Sequence, residues 1–164
     1  MDTLRRTTGF LLLALLQVLM LNKLHLFGYA TPFIYIYTLL KLPSSASRNE
    51  QLLWGFASGL IIDIFSNTPG MHAAATTLLA MLRPGIQSLY QPKGDTDEYR
   101  PGIHAVSFSF FLRYTLTAVV IHHTALFALQ AFSVADPLTL LLRTTSSTAL
   151  SILCLLVLDS TRQR

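Results

Sequence analysis

The chain has 164 residues, of which 52% are hydrophobic and only 12% are charged. Soluble domains carry roughly 25% charged residues, so this composition argues against an ordinary soluble domain. The formal net charge of +4 does not indicate a nucleic-acid partner, because the Lys and Arg residues are dispersed between apolar segments.

Long intervals without charge divide the chain into six apolar segments that are separated by helix-breaking residues. Gly28 and Pro32 separate the first two segments, residues 67–70 predict a tight turn, and Asp136-Pro137 predicts the start of the sixth. A spanning helix takes about 20 residues, so six of them leave no room for another domain. We therefore predict a single all-α membrane domain, residues 1–164. Its transmembrane helices are expected at about 7–26, 30–42, 51–66, 71–86, 103–131 and 138–158, with a cytoplasmic loop at about 87–102.

The second, third and fourth segments are short, so we expect them to be tilted, distorted or partly re-entrant, which lipid permits where the backbone is buried in protein. The first is expected to be a retained span instead of a signal peptide, because its apolar part exceeds about 7 to 15 residues and further spans follow.

The distribution of Lys and Arg predicts the orientation, because cytoplasmic loops collect basic residues. If the N-terminus is inside, nine of the twelve basic residues fall on the cytoplasmic side: Arg5, Arg6, Lys41, Arg48, Arg83, Lys93, Arg100, Arg162 and Arg164. Lys23 would lie in an outer loop, whereas Arg113 and Arg143 fall within spans. We expect a multi-pass protein with both termini in the cytoplasm.

Gly55, Gly59 and Asp63 recur at intervals of four and would share one face of the third helix. Two glycines at this spacing let another helix approach closely, either in the same chain or in a partner. Asp63 would lie deep inside its span, where a charge needs a partner, a water-filled cavity or a proton. Arg113 is predicted at a matching depth, so we expect an Asp63–Arg113 ion pair, with a proton or ion relay through Asp63 as the alternative.

The five histidines lack the spacing of a metal site. His122 and His123 would point about 100° apart on a helix, and we expect them near the outer interface, whereas His72 would hold the hairpin by hydrogen bonding. The sequence Phe56-Ala57-Ser58-Gly59 resembles the nucleophile element of rhomboid proteases, but the sixth segment lacks the histidine base. We predict no catalytic, metal-binding or cofactor-binding residues, and hence no enzyme.

The stretch from Gly59 to Ala73 resembles the MreD family of bacterial rod shape-determining membrane proteins. The family pattern is G-L-hydrophobic-x-D-hydrophobic-hydrophobic-S, followed by P-x-G-x-H-A with some slack around the glycine. The matching residues are Gly59-Leu60-Ile61-Ile62-Asp63-Ile64-Phe65-Ser66 and Pro69-Gly70-Met71-His72-Ala73, with a turn one residue tighter than the pattern. Gly55 and Gly59 are the candidate partner-binding or helix-packing residues, and Asp63, Arg113, Ser66, Pro69 and His72 are the candidate buried polar or structural residues.

This resemblance implies a non-enzymatic scaffold in the bacterial inner (cytoplasmic) membrane that helps maintain rod shape by organising lateral peptidoglycan synthesis. The implied partners are an MreC-type protein and, through it, the MreB filament, the RodA glycosyltransferase and a class B penicillin-binding protein.

The MreD family is also similar in fold to the substrate-binding subunits of energy-coupling factor transporters, which supplies an alternative function as a vitamin-capture subunit. A capture subunit would need an outer pocket with several polar groups. The candidates at that face are Lys23, His25, Asn67, His72 and Asp136.

Overall fold

The computed structural model describes residues 2–24, 30–91, 98–131 and 136–161 of the chain. Within these residues the chain forms six α-helices and no β-strand, which confirms the prediction of an all-helical fold. The helices are α1 (Asp2–Leu19), α2 (Tyr37–Leu40), α3 (Arg48–Ser66), α4 (Met71–Tyr90), α5 (Phe108–Gln130) and α6 (Pro137–Thr161). One turn of 3-10 helix, Leu21–Lys23, follows α1.

The five longer helices run back and forth between two ends of a bundle. Arg6 near the start of α1 donates to Glu50 near the start of α3 (3.0 Å), and Asn22 just beyond α1 donates to Ser66 at the end of α3 (2.7 Å). We name these the Arg48 end and the Asn67 end. The helices α3, α4, α5 and α6 pack in sequence, each against the next.

The segment 30–42 differs most from the prediction, because only its four-residue portion α2 is helical. The prediction of a second spanning helix is therefore wrong. Residues 30–36 are buried in a non-helical conformation inside the bundle. The segment nevertheless runs along the bundle from a cavity at the Asn67 end to the Arg48 end, since Thr31 contacts Ser147, ten residues into α6 (3.0 Å), and Lys41 pairs with Asp159 in its last turn (2.8 Å).

Two serines of α6 satisfy part of this buried backbone. The N–H of Thr31 donates to Ser147 Oγ at 3.0 Å, and the N–H of Phe33 donates to Ser151 Oγ at 2.9 Å. Both serines are completely buried. Buried backbone groups must be paired, so these hydroxyls replace the hydrogen bonds that a helix would have made internally.

Gln17 of α1 satisfies two further backbone groups. Its Oε1 accepts from the N–H of Ile34 (2.8 Å), and its Nε2 donates to the carbonyl of Pro32 (2.9 Å). Aromatic and β-branched residues alternate over 33–37, a pattern that favours extended chain, but residues 35 and 36 form a turn and Tyr37 already belongs to α2.

Arg83 of α4 also pairs with backbone groups of the buried segment. It lies at the Arg48 end, where it is completely buried. Its Nη2 donates to the carbonyl of Leu40 (3.4 Å), the last residue of α2, and to that of Leu42, two residues further on. Its Nε donates to Tyr114 Oη of α5 (3.0 Å) and its Nη1 to Gln51 Oε1 of α3 (3.1 Å). One guanidinium therefore joins three helices to the buried segment.

Asp159, near the end of α6, is the centre of a second polar cluster at the Arg48 end of the bundle. Its Oδ1 accepts from Lys41 Nζ and Tyr37 Oη, each at 2.8 Å, and its Oδ2 accepts from the N–H of Ile103 at 2.7 Å. The approach to α5 is thereby tied to α6, and α5 begins at Phe108 instead of the predicted residue 103.

Some predicted features lie outside the described residues. These are the last two residues of the first predicted span (25–26, including His25), residues 92–97 of the predicted loop (including Lys93), and Arg162 and Arg164. The first helix begins five residues before the start and ends seven residues before the end of the predicted span 7–26, the ends of the others differ by a few residues, and α4 continues through Pro84 to Tyr90.

Two of the described helices, α5 and α6, are long and apolar enough to cross a membrane by length and composition. Large apolar side chains are nevertheless exposed on all five longer helices. Examples with exposed fractions of 54% to 72% are Leu12, Leu53, Leu89, Phe108 and Leu153. The bundle therefore has an apolar outer surface as well as an apolar core.

Candidate functional site at the Asn67 end

Asp63 fastens the hairpin between α3 and α4. Its Oδ1 accepts from Thr68 Oγ1 (2.8 Å) and from the N–H of His72 (2.9 Å), and its Oδ2 accepts from the N–H of Ala73 (2.8 Å). The first N–H groups of a helix have no partner within the helix, and the residue before α4 is Gly70, which has no side chain to cap it. The carboxylate therefore caps α4, at the end of the helix dipole that favours negative charge.

The predicted ion pair between Asp63 and Arg113 does not form. Both carboxylate oxygens serve α4, and Arg113 is exposed on α5 instead of buried. The prediction placed the start of the helix at residue 103, whereas α5 begins at Phe108. Arg113 is thus five residues from the Arg48 end and Asp63 is fifteen, which separates them by about 15 Å along the bundle at 1.5 Å per residue.

Gly55 and Gly59 face α4 of the same chain. A Cβ atom on Gly59 would lie 2.5 Å from Ala73 Cα and 2.5 Å from the carbonyl oxygen of His72, and one on Gly55 would lie 2.8 Å from the carbonyl oxygen of Thr76. The hydroxyl of Thr76 donates to the Gly55 carbonyl at 2.6 Å. The glycine strip therefore accommodates α4, and no space for the helix of a partner is left on this face.

The turn holds the other motif residues. Asn67 ends α3 in the left-handed region (φ 54°), which asparagine tolerates, and Gly70 follows at φ 80°. Ser66 is half-buried and accepts the hydrogen bond from Asn22, which links the hairpin to the 3-10 turn. Pro69 is exposed, so its predicted place among buried residues is corrected.

The side chain of His72 belongs to a buried polar cluster. Its Nδ1 lies 3.0 Å from Tyr35 Oη, which lies 2.8 Å from Nε2 of His122. All three side chains are buried, so the expectation that His122 lies at the outer interface is wrong. The ring of Phe33 packs between the histidines, with its centroid 5.6 Å from that of His72 and 6.3 Å from that of His122.

His123 is also buried, contrary to the same expectation. Its Nδ1 lies 2.8 Å from the carbonyl oxygen of Val119 and its Nε2 lies 3.2 Å from Ser151 Oγ. It therefore supports the serine that holds the backbone of Phe33. In the described part of the chain, no three histidine, cysteine or acidic side chains are placed to hold a metal ion.

A cavity of about 390 Å³ opens beside the His72 ring at the Asn67 end. Besides His72, its polar lining comes from the 3-10 turn, the buried segment, the hairpin, the end of α5 and the start of α6: Asn22, Lys23, Thr31, Ser66, Thr68, Gln130 and Arg143. The phenyl rings of Phe33, Phe65 and Phe127 form the apolar part of its wall. The cavity therefore combines two cationic side chains, neutral polar groups and aromatic surface.

Sequence reasoning found only part of this lining. Lys23 and His72 were among the five outer polar candidates, whereas Asn67 and Asp136 do not line the cavity and His25 lies outside the described residues. Arg143 was assigned to the interior of a span. The lining residues are far apart in the chain, so only the packing of α5 and α6 against the hairpin brings them together.

No protein-family model matches this chain, nor does any curated protein or solved structure.

Proposed function

We propose that this chain is an MreD-like scaffold of the cell-elongation machinery in the bacterial inner membrane, where it helps maintain rod shape. The observation that carries the proposal is the interdependence of the motif residues. Gly59 gives α4 its close approach, Asp63 caps α4, and His72 and Ala73 supply both the capped N–H groups and the contact surface. The residues that resemble the MreD pattern therefore act as one structural joint, as expected if the pattern defines a fold.

The distribution of apolar and polar surface supports a multi-pass arrangement. All five longer helices expose large apolar side chains, which a bilayer would cover. Non-helical backbone is tolerated at membrane depth only where protein encloses it, and residues 30–36 are enclosed. With segment 30–42 counted as a crossing, the chain passes between the two ends six times, which would put both termini on the cytoplasmic side.

In this proposal the protein acts by binding and contributes no chemistry. The partners are an MreC-type protein and, through it, the MreB filament, the RodA glycosyltransferase and a class B penicillin-binding protein. Because α4 fills the face of Gly55 and Gly59, partner helices would contact outward faces of the bundle instead.

Depletion in the native cell tests the proposal, with microscopy for shape and a fluorescent label for new wall. We expect rounded cells that lose lateral wall insertion, and rescue when the chain is expressed again. Gly85→Leu should also rescue, because an added Cβ at the exposed Gly85 meets no atom within 4 Å. Gly59→Leu should fail, with loss of the protein. Unchanged shape and wall pattern after depletion would contradict the proposal.

The cavity favours a second candidate function, the capture subunit of an energy-coupling factor vitamin transporter. Its volume of about 390 Å³ falls within the range of small-molecule sites, about 300–1,000 Å³. The same depleted cells test this function during growth on defined media from which single vitamins are omitted. Normal shape with a new vitamin requirement would support capture, whereas rounding without such a requirement would contradict it.

A further inference from the structure

We infer that the cavity at the Asn67 end binds a phosphate group, carried either by a soluble phosphate ester or by the headgroup of a membrane lipid. This site is independent of the proposed role in wall growth.

The charge of the cavity favours an anion. Lys23 and Arg143 both line it, and none of the described residues in its wall is acidic. The nearest acid along the hairpin is Asp63, which does not line the cavity and whose oxygens accept three hydrogen bonds from the α4 side. A phosphate monoester carries a charge of about −1.5 to −2, so two cations would nearly neutralise it.

The direction of the hydrogen bonds among the neutral groups also favours a ligand that accepts hydrogen bonds. A backbone N–H can only donate, so the N–H of Ile34 fixes which end of the Gln17 amide is the oxygen. Gln17 Nε2 must then donate to Asn22 Oδ1 (2.8 Å), and Asn22 Nδ2 to Ser66 Oγ (2.7 Å). Ser66 accepts in this chain of hydrogen bonds, and its hydroxyl hydrogen is left to donate at the cavity wall.

The cationic groups match phosphate chemistry. A guanidinium presents N–H groups in a planar fork that suits phosphate oxygens, and an ammonium binds phosphate as a point charge. Arg143 and Lys23 supply one of each, on different elements that meet at the cavity.

The size and apolar wall of the cavity indicate that the ligand is larger than inorganic phosphate. A volume of about 390 Å³ holds more than one phosphate group. The rings of Phe33 and Phe127, with centroids 6.1 Å apart, and the ring of Phe65 offer apolar surface for a carbon skeleton. Both a soluble ester and a lipid headgroup with its glycerol fit this description.

Titration of the purified full-length chain tests the inference. The soluble probes are inorganic phosphate and glycerol 3-phosphate, measured by calorimetry in detergent at constant ionic strength, with chloride as the reference anion. The lipid probe is phosphatidic acid in phosphatidylcholine nanodiscs, measured by the midpoint of thermal unfolding relative to nanodiscs without it. Binding of glycerol 3-phosphate identifies a soluble ester as the source, and a response to phosphatidic acid alone identifies a lipid; either supports the inference.

The test variants replace the two cationic side chains of the cavity wall, both of which are exposed. We expect Lys23→Gln/Arg143→Gln to weaken binding by roughly tenfold or more, because hydrogen bonds to charged groups are the strong ones, and Ser66→Ala to weaken it less. Arg113→Gln is the matched control, since Arg113 is exposed but does not line the cavity. The inference is overturned if no phosphate probe binds better than chloride, or if Arg113→Gln weakens binding as much as the double variant. Circular dichroism checks that each variant remains helical.

Discussion

Asp63, Arg83 and Gln17 each provide a hydrogen-bond partner for backbone groups that regular secondary structure leaves unpaired. Asp63 binds the N–H groups at the start of α4, Arg83 binds carbonyls at and just beyond the end of α2, and Gln17 binds the non-helical backbone before α2. Leaving a buried polar group unpaired costs about 1–3 kcal/mol. These polar side chains are therefore structural residues of an apolar bundle, even though composition alone would mark them as anomalies.

Asp63→Asn tests this role at the hairpin. An asparagine retains one oxygen and places an NH2 group opposite an N–H of α4, so we expect the free energy of unfolding to fall by about 1–3 kcal/mol. The matched control is Asp136→Asn, because Asp136 is exposed and caps α6 through Thr139; its cost should not exceed about 1 kcal/mol. Chemical denaturation in detergent measures both, and equal losses would contradict the buried cap.

For single residues, the sequence predicts that a buried charge needs a partner but does not identify that partner. A charge deep in an apolar segment must be satisfied, which singled out Asp63 correctly as a residue requiring a partner. The N–H groups that satisfy it carry no side-chain signature, so Arg113 was chosen on matched depth. That depth depended on a helix start at residue 103, and the real start at Phe108 removes the match.

At the scale of elements, hydropathy predicts burial better than conformation. Segment 30–42 is as apolar as a spanning helix and is buried, yet only Tyr37–Leu40 is helical. The residues that make this possible, Gln17, Ser147 and Ser151, lie on α1 and α6. No local pattern near residue 30 reveals them, since they lie far from it in the sequence.

The close contact between α3 and α4 predicts that adding a single methyl group at Gly59 is destabilising. Gly59→Ala places a Cβ 2.5 Å from Ala73 Cα and from the His72 carbonyl oxygen, so the helices must separate. We expect a loss of about 1–3 kcal/mol of unfolding free energy, as for overpacked cores. Gly85→Ala is the control, because its Cβ meets nothing within 4 Å and alanine favours a helix by about 1 kcal/mol over glycine. Equal thermal stability of the two variants would contradict the close approach.

At the scale of the whole molecule, the sequence predicts the helical class, and the structure adds how the ends are built. The Arg48 end is closed by the buried Arg83 and by the pair of Lys41 with Asp159. The Asn67 end contains the cavity with Lys23 and Arg143 on its wall. This asymmetry arises from residues distant in sequence, which is why composition and spacing could not show it.

Cysteine labelling tests whether the two ends lie on opposite sides of a membrane. In a Cys154→Ser background, Pro69→Cys marks the Asn67 end, Asn49→Cys marks the Arg48 end, and Leu153→Cys marks the apolar surface of α6; all three native residues are exposed. A bilayer admits a water-soluble maleimide to headgroup regions but not to its hydrocarbon core, which is about 30 Å thick. We expect spheroplasts to label Pro69→Cys while intact, Asn49→Cys only after permeabilisation, and Leu153→Cys in neither state. Labelling of both Asn49→Cys and Pro69→Cys in intact spheroplasts would contradict the crossing of α3, and strong labelling of Leu153→Cys would show that the apolar surface faces water instead of lipid.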